Sequence, residues 1–446
     1  MFRLFKGGVH PEENKTYTAD KAIRQAGIPS IITIPMIQHT GAPCEPLVKK
    51  GDPVKKGQPI GASGKFIASP VHSSVSGVVK EIKTAPHPTA DRATAVIIEP
   101  DGRDEWTAPA VKGGDPASFT KEEIIDTIKD SGIVGMGGAA FPTHVKLTPP
   151  KKVDAVILNG AECEPYLTCD DRLMIERSEE ILKGLDLIMR ALEADKAFIA
   201  IESNKPKAAE SMSAALKRLH LAGGGGRGII IKILPARYPQ GSEKQMIYAV
   251  LNRKVPPKGL PFQVGCVVQN VGTALAVFDA VYNGRPLVER CVTVSGDGVN
   301  EPSNLKVRIG TSLKDLAEEC GGLKKDIAKL IVGGPMMGIA QYTLDVPVIK
   351  GMSGVLFLSK EETRLFDEMP CVKCGRCVDS CPMDLLPYLY AKFVKKEKWD
   401  KLEGHNIDDC MECGSCAYVC PSRIPLVQYI KTGKRVLFKK RTAAKK

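Results

Sequence analysis

The chain has 446 residues, 43% hydrophobic and 26% charged, with a formal net charge of +12. That length suits about three domains, and the composition is ordinary for a globular protein. The opening residues hold no apolar core of signal-peptide length, and no stretch approaches the roughly 18 apolar residues of a membrane span, so a soluble, cytoplasmic chain is expected.

Residues 1–27 read as an N-terminal arm. From 28 to 112 short strands alternate with turns. Gly51-Asp52-Pro53-Val54 and Gly57-Gln58-Pro59-Ile60 are turn-plus-strand units, and Ala68-Ser69-Pro70-Val71 leads to Val75-Ser76-Gly77-Val78-Val79. Glycine, aspartate and proline supply the turns and β-branched residues the strands. Two such halves resemble the barrel-sandwich fold of lipoyl and biotinyl carriers. The only candidate for a carrier lysine is Lys65, on a hairpin shorter than those carriers use and without Met-Lys-Met. The domain is therefore read as structural, with Lys65 unmodified.

The pattern changes over 113–264. Thr120 and Glu123 form a capping box for a helix faced by Ile124, Ile125 and Ile128, and Gly132 stops it. A strand at Val153 to Leu158, a long helix from about Asp171 to Ala194, a strand at Ala197 to Ile201, a helix at Lys205 to Leu219 and a strand at Ile229 to Leu234 follow. Alternation at this length predicts βαβ units and a largely parallel sheet, with functional loops at the carboxyl ends of the strands. From 265 to 355 the elements shorten. Val292 to Gly296 with Ser303 to Ile309 suits a hairpin, Ser312 to Cys320 a helix, and Ile331 to Gly334 a strand and turn. A small β-grasp-like domain is expected.

Two loops of the α/β segment carry candidate chemistry. Gly135-Met136-Gly137-Gly138-Ala139-Ala140-Phe141-Pro142-Thr143 precedes Lys146. Small residues let backbone N–H groups approach an anion, and Lys146 adds a compact charge. The run is neither a Walker loop nor a dinucleotide fingerprint, and its composition leaves a phosphate loop and a plain turn both open. Asn159-Gly160-Ala161-Glu162-Cys163-Glu164-Pro165 then leaves the first strand, with two carboxylates suited to ribose or nicotinamide hydrogen bonding or simply to solvent. Arg237-Tyr238-Pro239-Gln240-Gly241-Ser242-Glu243 ends a later strand and could face the same crevice. The run Gly223 to Gly226 is read as plain loop.

Residues 356–430 hold the most specific signal. Cys371-x2-Cys374-x2-Cys377-x3-Cys381-Pro382 is followed by Cys410-x2-Cys413-x2-Cys416-x3-Cys420-Pro421. This is the bacterial two-cluster ferredoxin run, in which the fourth cysteine of each motif serves the other cluster. Cys371, Cys374, Cys377 and Cys420 are assigned to one [4Fe–4S] cluster, and Cys410, Cys413, Cys416 and Cys381 to the second. Zinc sites pair cysteines differently and lack the Cys-Pro ending, and disulfides would need an oxidising compartment. Cys44, Cys163, Cys169, Cys266, Cys291 and Cys320 are scattered and read mostly as small buried hydrophobes. Cys163 would point away from Glu162 and Glu164 in an extended loop, and His144 is given no role. From Lys431 to Lys446 eight Lys or Arg occur without an acid, leaving +4 for the other 430 residues. No nucleic-acid module accompanies this basic tail, which is either a solvated disordered end or a membrane-surface or subunit contact.

Residues 120 to 350 resemble the NADH-oxidising FMN subunit of respiratory complex I. That family's G-x-G-G-A-x-F-P-T-x-x-K loop is matched by Gly135, Gly137, Gly138, Ala139, Phe141, Pro142, Thr143 and Lys146. Its N-x-x-E-x-E-P is matched by Asn159, Glu162, Glu164 and Pro165. Its tyrosine-plus-G-x-E element is matched by Tyr238, Gly241 and Glu243, and its Asn-Val-x-Thr by Asn270, Val271 and Thr273. Met136 stands where that subunit has arginine, Ala161 where it has aspartate, and Ser242 where it has glutamate. The paired cysteine motif behind the β-grasp (SLBB) domain, and the opening Phe5-Lys6-Gly7-Gly8-Val9-His10-Pro11, make the whole order similar to the RnfC family, the C subunits of Rnf complexes. Those complexes are membrane-bound ion-translocating ferredoxin:NAD oxidoreductases.

The resemblance implies an α/β protein with added β and α domains: a barrel-sandwich hybrid, a Rossmann-like FMN/NADH domain, an SLBB β-grasp domain and a two-cluster ferredoxin-like domain. It implies non-covalent FMN under the glycine loop near Lys146 and Asn159, with NAD(H) stacked on the flavin, Phe141 packed on the nucleotide, and Glu162 and Glu164 at its polar edge. No side chain need act as acid or base. Implied partners are the membrane subunits and a ferredoxin-type subunit of the complex, ferredoxin as donor, and the membrane surface at the cytoplasmic face, with no nucleic acid. Two rivals use the same parts: a cobalamin reductase, whose cluster motif lies ahead of the β-grasp domain, and a flavin-free relay subunit, which Ala161 and Ser242 favour.

Overall fold

The computed structural model describes residues 5–108, 113–221, 226, 228–324, 326–363 and 366–443. In the barrel-sandwich segment a four-stranded sheet runs Ile32–Pro35, Asp91–Pro100, Gly77–His87, Pro53–Val54. It faces a three-stranded sheet of Glu45–Pro46, Pro59–Ala62 and Val71–His72. Ile32, Ile34, Val54, Ile60, Val71, Val79, Val96 and Ile98 alternate inward to make one core, as two stacked sheets require.

The α/β segment is built on four parallel strands in the order Ile229–Leu234, Lys196–Glu202, Ala155–Gly160, Cys266–Asn270. Both faces are covered, so its central strands read as unbroken apolar runs. Val156 and Leu158 point into the core beneath the helices Lys121–Asp130, Ser178–Leu192 and Val271–Asn283, while Ala155 and Ile157 point to the other side, toward Met246 and Ile247 of Glu243–Leu251. Each of the larger of these side chains (Val, Leu, Ile, Met) contributes roughly 1.5–3 kcal/mol on burial. Gly184 lets two of these helices approach closely, since a Cβ there would lie 1.9 Å from the Ala274 carbonyl oxygen.

Three expectations are corrected here. The helix expected from Asp171 to Ala194 is two, Cys169–Glu176 and Ser178–Leu192, broken at Arg177 (φ −129°, ψ 29°). A one-residue break leaves the apolar pattern on either side intact, so periodicity does not register it. The boundary at 264/265 is misplaced. Cys266–Asn270 is the fourth strand of the parallel sheet and the 13-residue helix Val271–Asn283 covers it. Likewise Gly354–Ser359 is an interior strand of the β-grasp sheet rather than the start of the cysteine-rich segment. That sheet runs Arg24–Gln25, Ser303–Arg308, Glu289–Ser295, Gly354–Ser359, Ile327–Val332, Ile339–Gln341. Its edge strand comes from the N-terminal arm. Non-local pairing of this kind leaves no mark in local sequence.

The cysteine-rich segment is helical around its motifs, and it ends in the helix Leu426–Ala443. The basic run is therefore not a loose end up to residue 443. Ile430, Gly433 and Leu437 line one face of that helix and are buried, with Gly433 against Leu402, Ile407 and Val394. Arg441 pairs with Glu403 and Asp408, and Lys434 with Glu412. Among the described residues no helix is long and apolar enough to cross a membrane.

Candidate functional site

The glycine loop sits between the helix Lys121–Asp130 and the strand Ala155–Gly160. It is closed on itself by Gly135 N–H to the Phe141 carbonyl (2.8 Å) and Ala140 N–H to the Gly135 carbonyl (3.1 Å). Thr273 fixes it from behind, its hydroxyl accepting from Met136 N–H (2.9 Å). Thr40, on the barrel-sandwich domain, donates its hydroxyl to the Ala139 carbonyl (2.7 Å). Between these ties, Gly137, Gly138 and Ala139 are exposed, and among the described residues their N–H groups take no protein acceptor. Gly138 has φ +108°, and a Cβ there would meet nothing within 4 Å. The result is an open cradle of backbone donors, suited to an anion.

Lys146, just past the loop, donates to Glu243 (2.9 Å) and to the Val268 carbonyl (2.6 Å). The Asn159 amide donates to the Gly241 carbonyl (2.8 Å) and its oxygen accepts from Ala161 N–H. Asn270 lies under Gly137, caps the helix Val271–Asn283 through Gly272 N–H (2.8 Å), and donates to Asp170 (2.7 Å). The strand ends thus bring Lys146, Asn159, Gly241, Glu243, Asn270 and Thr273 to one crevice beside Gly135 to Phe141.

Glu162, Glu164 and Tyr238 stand differently. The Glu162 carboxylate accepts from Asp170 and Asp171 N–H (2.7 and 3.2 Å), capping the helix Cys169–Glu176. The Glu164 carboxylate accepts from Met336 and Met337 N–H (3.1 and 2.9 Å), and burial pushes its pKa up to about 7. Tyr238 is buried and donates to the Cys413 carbonyl (2.6 Å), so it belongs to the seam with the cysteine-rich domain. Burial, and Glu162 beside it, raise Asp170 to about 7; the same two causes raise Asp171 to about 6. The loop is not extended, because Glu162 has φ +44°. Cys163 turns its sulfur into the crevice to accept from Gly241 N–H (3.2 Å), while the Glu162 and Glu164 carboxylates are bonded elsewhere.

Cys381, Cys410, Cys413 and Cys416 line one small cavity together with Leu385, Tyr390 and Val427. Burial pushes the Cys410 thiol up to about 11, with Cys413 and Cys381 adding to the effect. Cys377 is raised by burial, with Cys420 and Cys374 among its neighbours. Cys371 and Cys374 are exposed. A thiol set converging on one small apolar space fits an iron–sulfur cube, and the second set lies toward solvent. The seam beside the first is closed by Ser242 to the Met411 sulfur (2.9 Å) and Gln245 to the Pro382 carbonyl (3.0 Å). Ala161 is fully buried in a small apolar cluster, where a carboxylate would have to be desolvated.

Sequence reasoning missed several residues of the site. Lys15 enters it from the arm, Lys205 from the residue before the helix Pro206–Leu221 (its ammonium 3.5 Å from the Glu162 carbonyl), Asp170 from the helix Cys169–Glu176, and Arg290 from the β-grasp sheet, with its guanidinium on the Lys350 carbonyl. Lys15 lies 147 residues from the nearest loop carbonyl it bonds, and no local pattern marks it.

Comparison with known proteins agrees with this layout. Residues 128–279 match the Nuo51 FMN-binding domain, 3–103 the RnfC barrel sandwich hybrid domain, 291–340 the SLBB domain and 370–424 the 4Fe-4S dicluster domain. These four define a flavin- and iron–sulfur-binding oxidoreductase subunit, and the donor cradle and thiol cavity fit FMN and clusters respectively. The chain is 48% identical to the C subunit of the proton-translocating ferredoxin:NAD(+) oxidoreductase complex of Clostridium ljungdahlii, over 97% of this chain and 93% of that protein. It is 43% identical to the C subunit of the Na(+)-translocating complex of Acetobacterium woodii, over 98% of each chain. A third relative, the C subunit of an ion-translocating oxidoreductase complex in Rhodobacter capsulatus, is 43% identical over 86% of this chain and 73% of that one. The chain belongs to the RnfC family, the C subunits of ion-translocating ferredoxin:NAD(+) oxidoreductase (Rnf) complexes. The fold is also that of a solved NAD+-reducing [NiFe]-hydrogenase chain (TM-score 0.51, 20% identity, covering 73% of this chain and 62% of that one).

Proposed function

We propose that this chain is the NADH-reactive, FMN- and iron–sulfur-containing peripheral subunit of a membrane-bound ferredoxin:NAD oxidoreductase that moves ions. The observation that carries it is the union in one chain of a free backbone-donor cradle and, across the Tyr238 seam, a four-thiol cavity. FMN supplies exchange of a hydride for single electrons, and the clusters supply single-electron carriage.

The chain's own residues bind and orient. Gly137, Gly138 and Ala139 N–H groups with Lys146 would hold the flavin's phosphate, while Asn159, Gly241, Glu243 and Asn270 border its ring and Thr273 keeps the loop in shape. Phe141 and the loop from Glu162 to Glu164 would meet the nucleotide; each carboxylate oxygen keeps a further lone pair for it. Orientation is the catalytic contribution, with no side chain needed as acid or base. Cys410, Cys413, Cys416 and Cys381 would hold the cluster next to the α/β domain, and Cys371, Cys374, Cys377 and Cys420 the one nearer solvent. The exposed Cys371 and Cys374 make that side the docking face for a ferredoxin-type subunit. Arg435, Phe438, Lys439 and Lys440 lie on the outer side of the last helix, a basic and apolar face suited to membrane subunits or anionic lipid at the cytoplasmic side.

Flavin, iron and sulfide analysis of anaerobically prepared protein tests this. One FMN and about eight irons per chain, the content of two [4Fe–4S] cubes, with bleaching of flavin absorbance by NADH, are expected. Clusters without flavin uptake would overturn the dehydrogenase and leave a relay subunit.

A further inference from the structure

The loop from Glu162 to Leu167 joins the strand Ala155–Gly160 to the helix Cys169–Glu176. Two of its non-glycine residues have positive φ, Glu162 at +44° and Tyr166 at +66°. A side-chain-bearing residue in that region is strained and stays there only where the surroundings enforce it. The enforcing group comes from elsewhere. Lys15, on the N-terminal arm, places its ammonium among three loop carbonyls, bonding Glu162 (3.0 Å), Glu164 (2.9 Å) and Leu167. An ammonium has three donors, and all three are spent on this one loop. Lys15 makes no ion pair within the described residues; burial and the neighbouring Lys205 lower its pKa, and Glu162 and Glu202 oppose that shift from nearby.

The arm is held on both sides of that point. Tyr166 N–H donates to the Glu13 carbonyl (2.8 Å), Tyr17 stacks on Tyr166 (6.0 Å between ring centres), and the Thr18 and Thr168 hydroxyls are 2.6 Å apart. Upstream, Val9 and Tyr238 exchange backbone hydrogen bonds (2.8 and 3.0 Å). Gly7 lies so close to Cys381 that a Cβ would meet its carbonyl at 2.7 Å. One extended segment thus spans the thiol cavity, the Tyr238 seam and the acidic loop.

We propose that Lys15 is a positioning residue for the nucleotide: through it the arm holds the backbone of the loop that receives NAD(H), while helix and β-grasp N–H groups hold the two carboxylates. This rests on the reading that the loop meets the nucleotide. With Lys15 removed, the loop relaxes from its positive-φ conformation, and Glu162 and Glu164 no longer present the same edge. The glycine cradle and the cysteines are not bonded to Lys15 and keep their geometry.

The test uses the full chain with flavin and clusters incorporated, comparing Lys15→Met, Lys15→Gln and Lys15→Arg with wild type. Steady-state NADH oxidation with ferricyanide as the electron acceptor gives KM and kcat, and NAD+ binding followed by flavin absorbance gives Kd. Expected are a rise of about tenfold or more in both KM and Kd for Lys15→Met, the scale of a lost charge-assisted set. A change in kcat of less than about threefold, unaltered FMN and iron content, and partial recovery in Lys15→Arg complete the expected pattern. Hydrogen exchange should rise at residues 162–168 and not at 135–143. Unchanged KM and Kd in Lys15→Met overturn the proposal, and so does loss of flavin or clusters in step with NADH affinity in both Lys15→Met and Lys15→Gln. Wild type that binds flavin but no NADH overturns the reading beneath it instead.

Discussion

Lys350 shows how much one side chain carries in this molecule. It leaves the β-grasp domain and is fully buried, donating to the Pro70 carbonyl of the barrel-sandwich domain (2.6 Å) and the Gly132 carbonyl of the α/β domain (2.7 Å). Its own N–H goes to the Gln38 side chain (3.0 Å). No carboxylate pairs with it among the described residues. Burial brings the amine down to about 7, opposed only by the nearby Cys44 thiol. His72 and His39 face it and are held neutral, near 3 and 4, by burial first and by Lys350 second. A folded-state pKa below the unfolded 10.5 means that the unfolded chain binds more protons between about pH 7 and 10. Stability should therefore rise with pH across that window and be lost as pH falls toward 7, by up to about 1.4 kcal/mol per unit. Lys350→Met removes the titration. The urea midpoint of wild type should pull ahead of Lys350→Met progressively from about pH 7 to 10. A gap that stays constant would mean that the ammonium remains charged in place.

At the scale of elements, legibility follows locality. The capping box of Thr120 and Glu123 is present, and Ile124 and Ile128 are buried behind it, because cap and stripe are written within one short stretch. The antiparallel pair around Val292 and Leu305 is likewise local and legible from its two β-rich runs. Cys266–Asn270 escapes assignment to the parallel sheet, since its partner strand lies far upstream. The basic run at the end misleads through its charge. Its lysines mask a stripe of Ile430, Gly433 and Leu437 that seals the cysteine-rich domain. Leu437→Ala should cost about 2–4 kcal/mol there, as for other core leucines. Lys439→Ala and Lys440→Ala should stay within about 0.5 kcal/mol. Loss of cluster absorbance in denaturant measures both. A truncation after Thr432 would thus confuse folding with membrane association, and the two lysine substitutions separate them.

Across the whole molecule, the two cysteine motifs are divided by place rather than by order in the chain. Cys381 comes from the first motif, yet it lines the cavity of the second, beside Cys410, Cys413 and Cys416. The spacing of the motif is enough to suggest this exchange. Which set faces the flavin domain cannot be read from spacing, because it depends on the seam. Tyr238 on Cys413, Ser242 on Met411, Gln245 on Pro382 and the arm's Gly7 on Cys381 all belong to the buried set. The other set has Cys371 and Cys374 exposed. Cysteine-to-serine substitutions therefore make a sharp test by electron paramagnetic resonance of the reduced protein. Cys381→Ser should perturb the same signal as Cys413→Ser, and Cys420→Ser the same signal as Cys371→Ser. With NADH as reductant, Cys371→Ser should leave the Cys413-linked signal reducible, whereas Cys413→Ser should block reduction of the Cys371-linked one. Pairing of Cys381→Ser with Cys371→Ser would put each cluster on its own motif and remove the exchange. NADH reduction of the Cys371-linked signal without the other would reverse the order of the two sites.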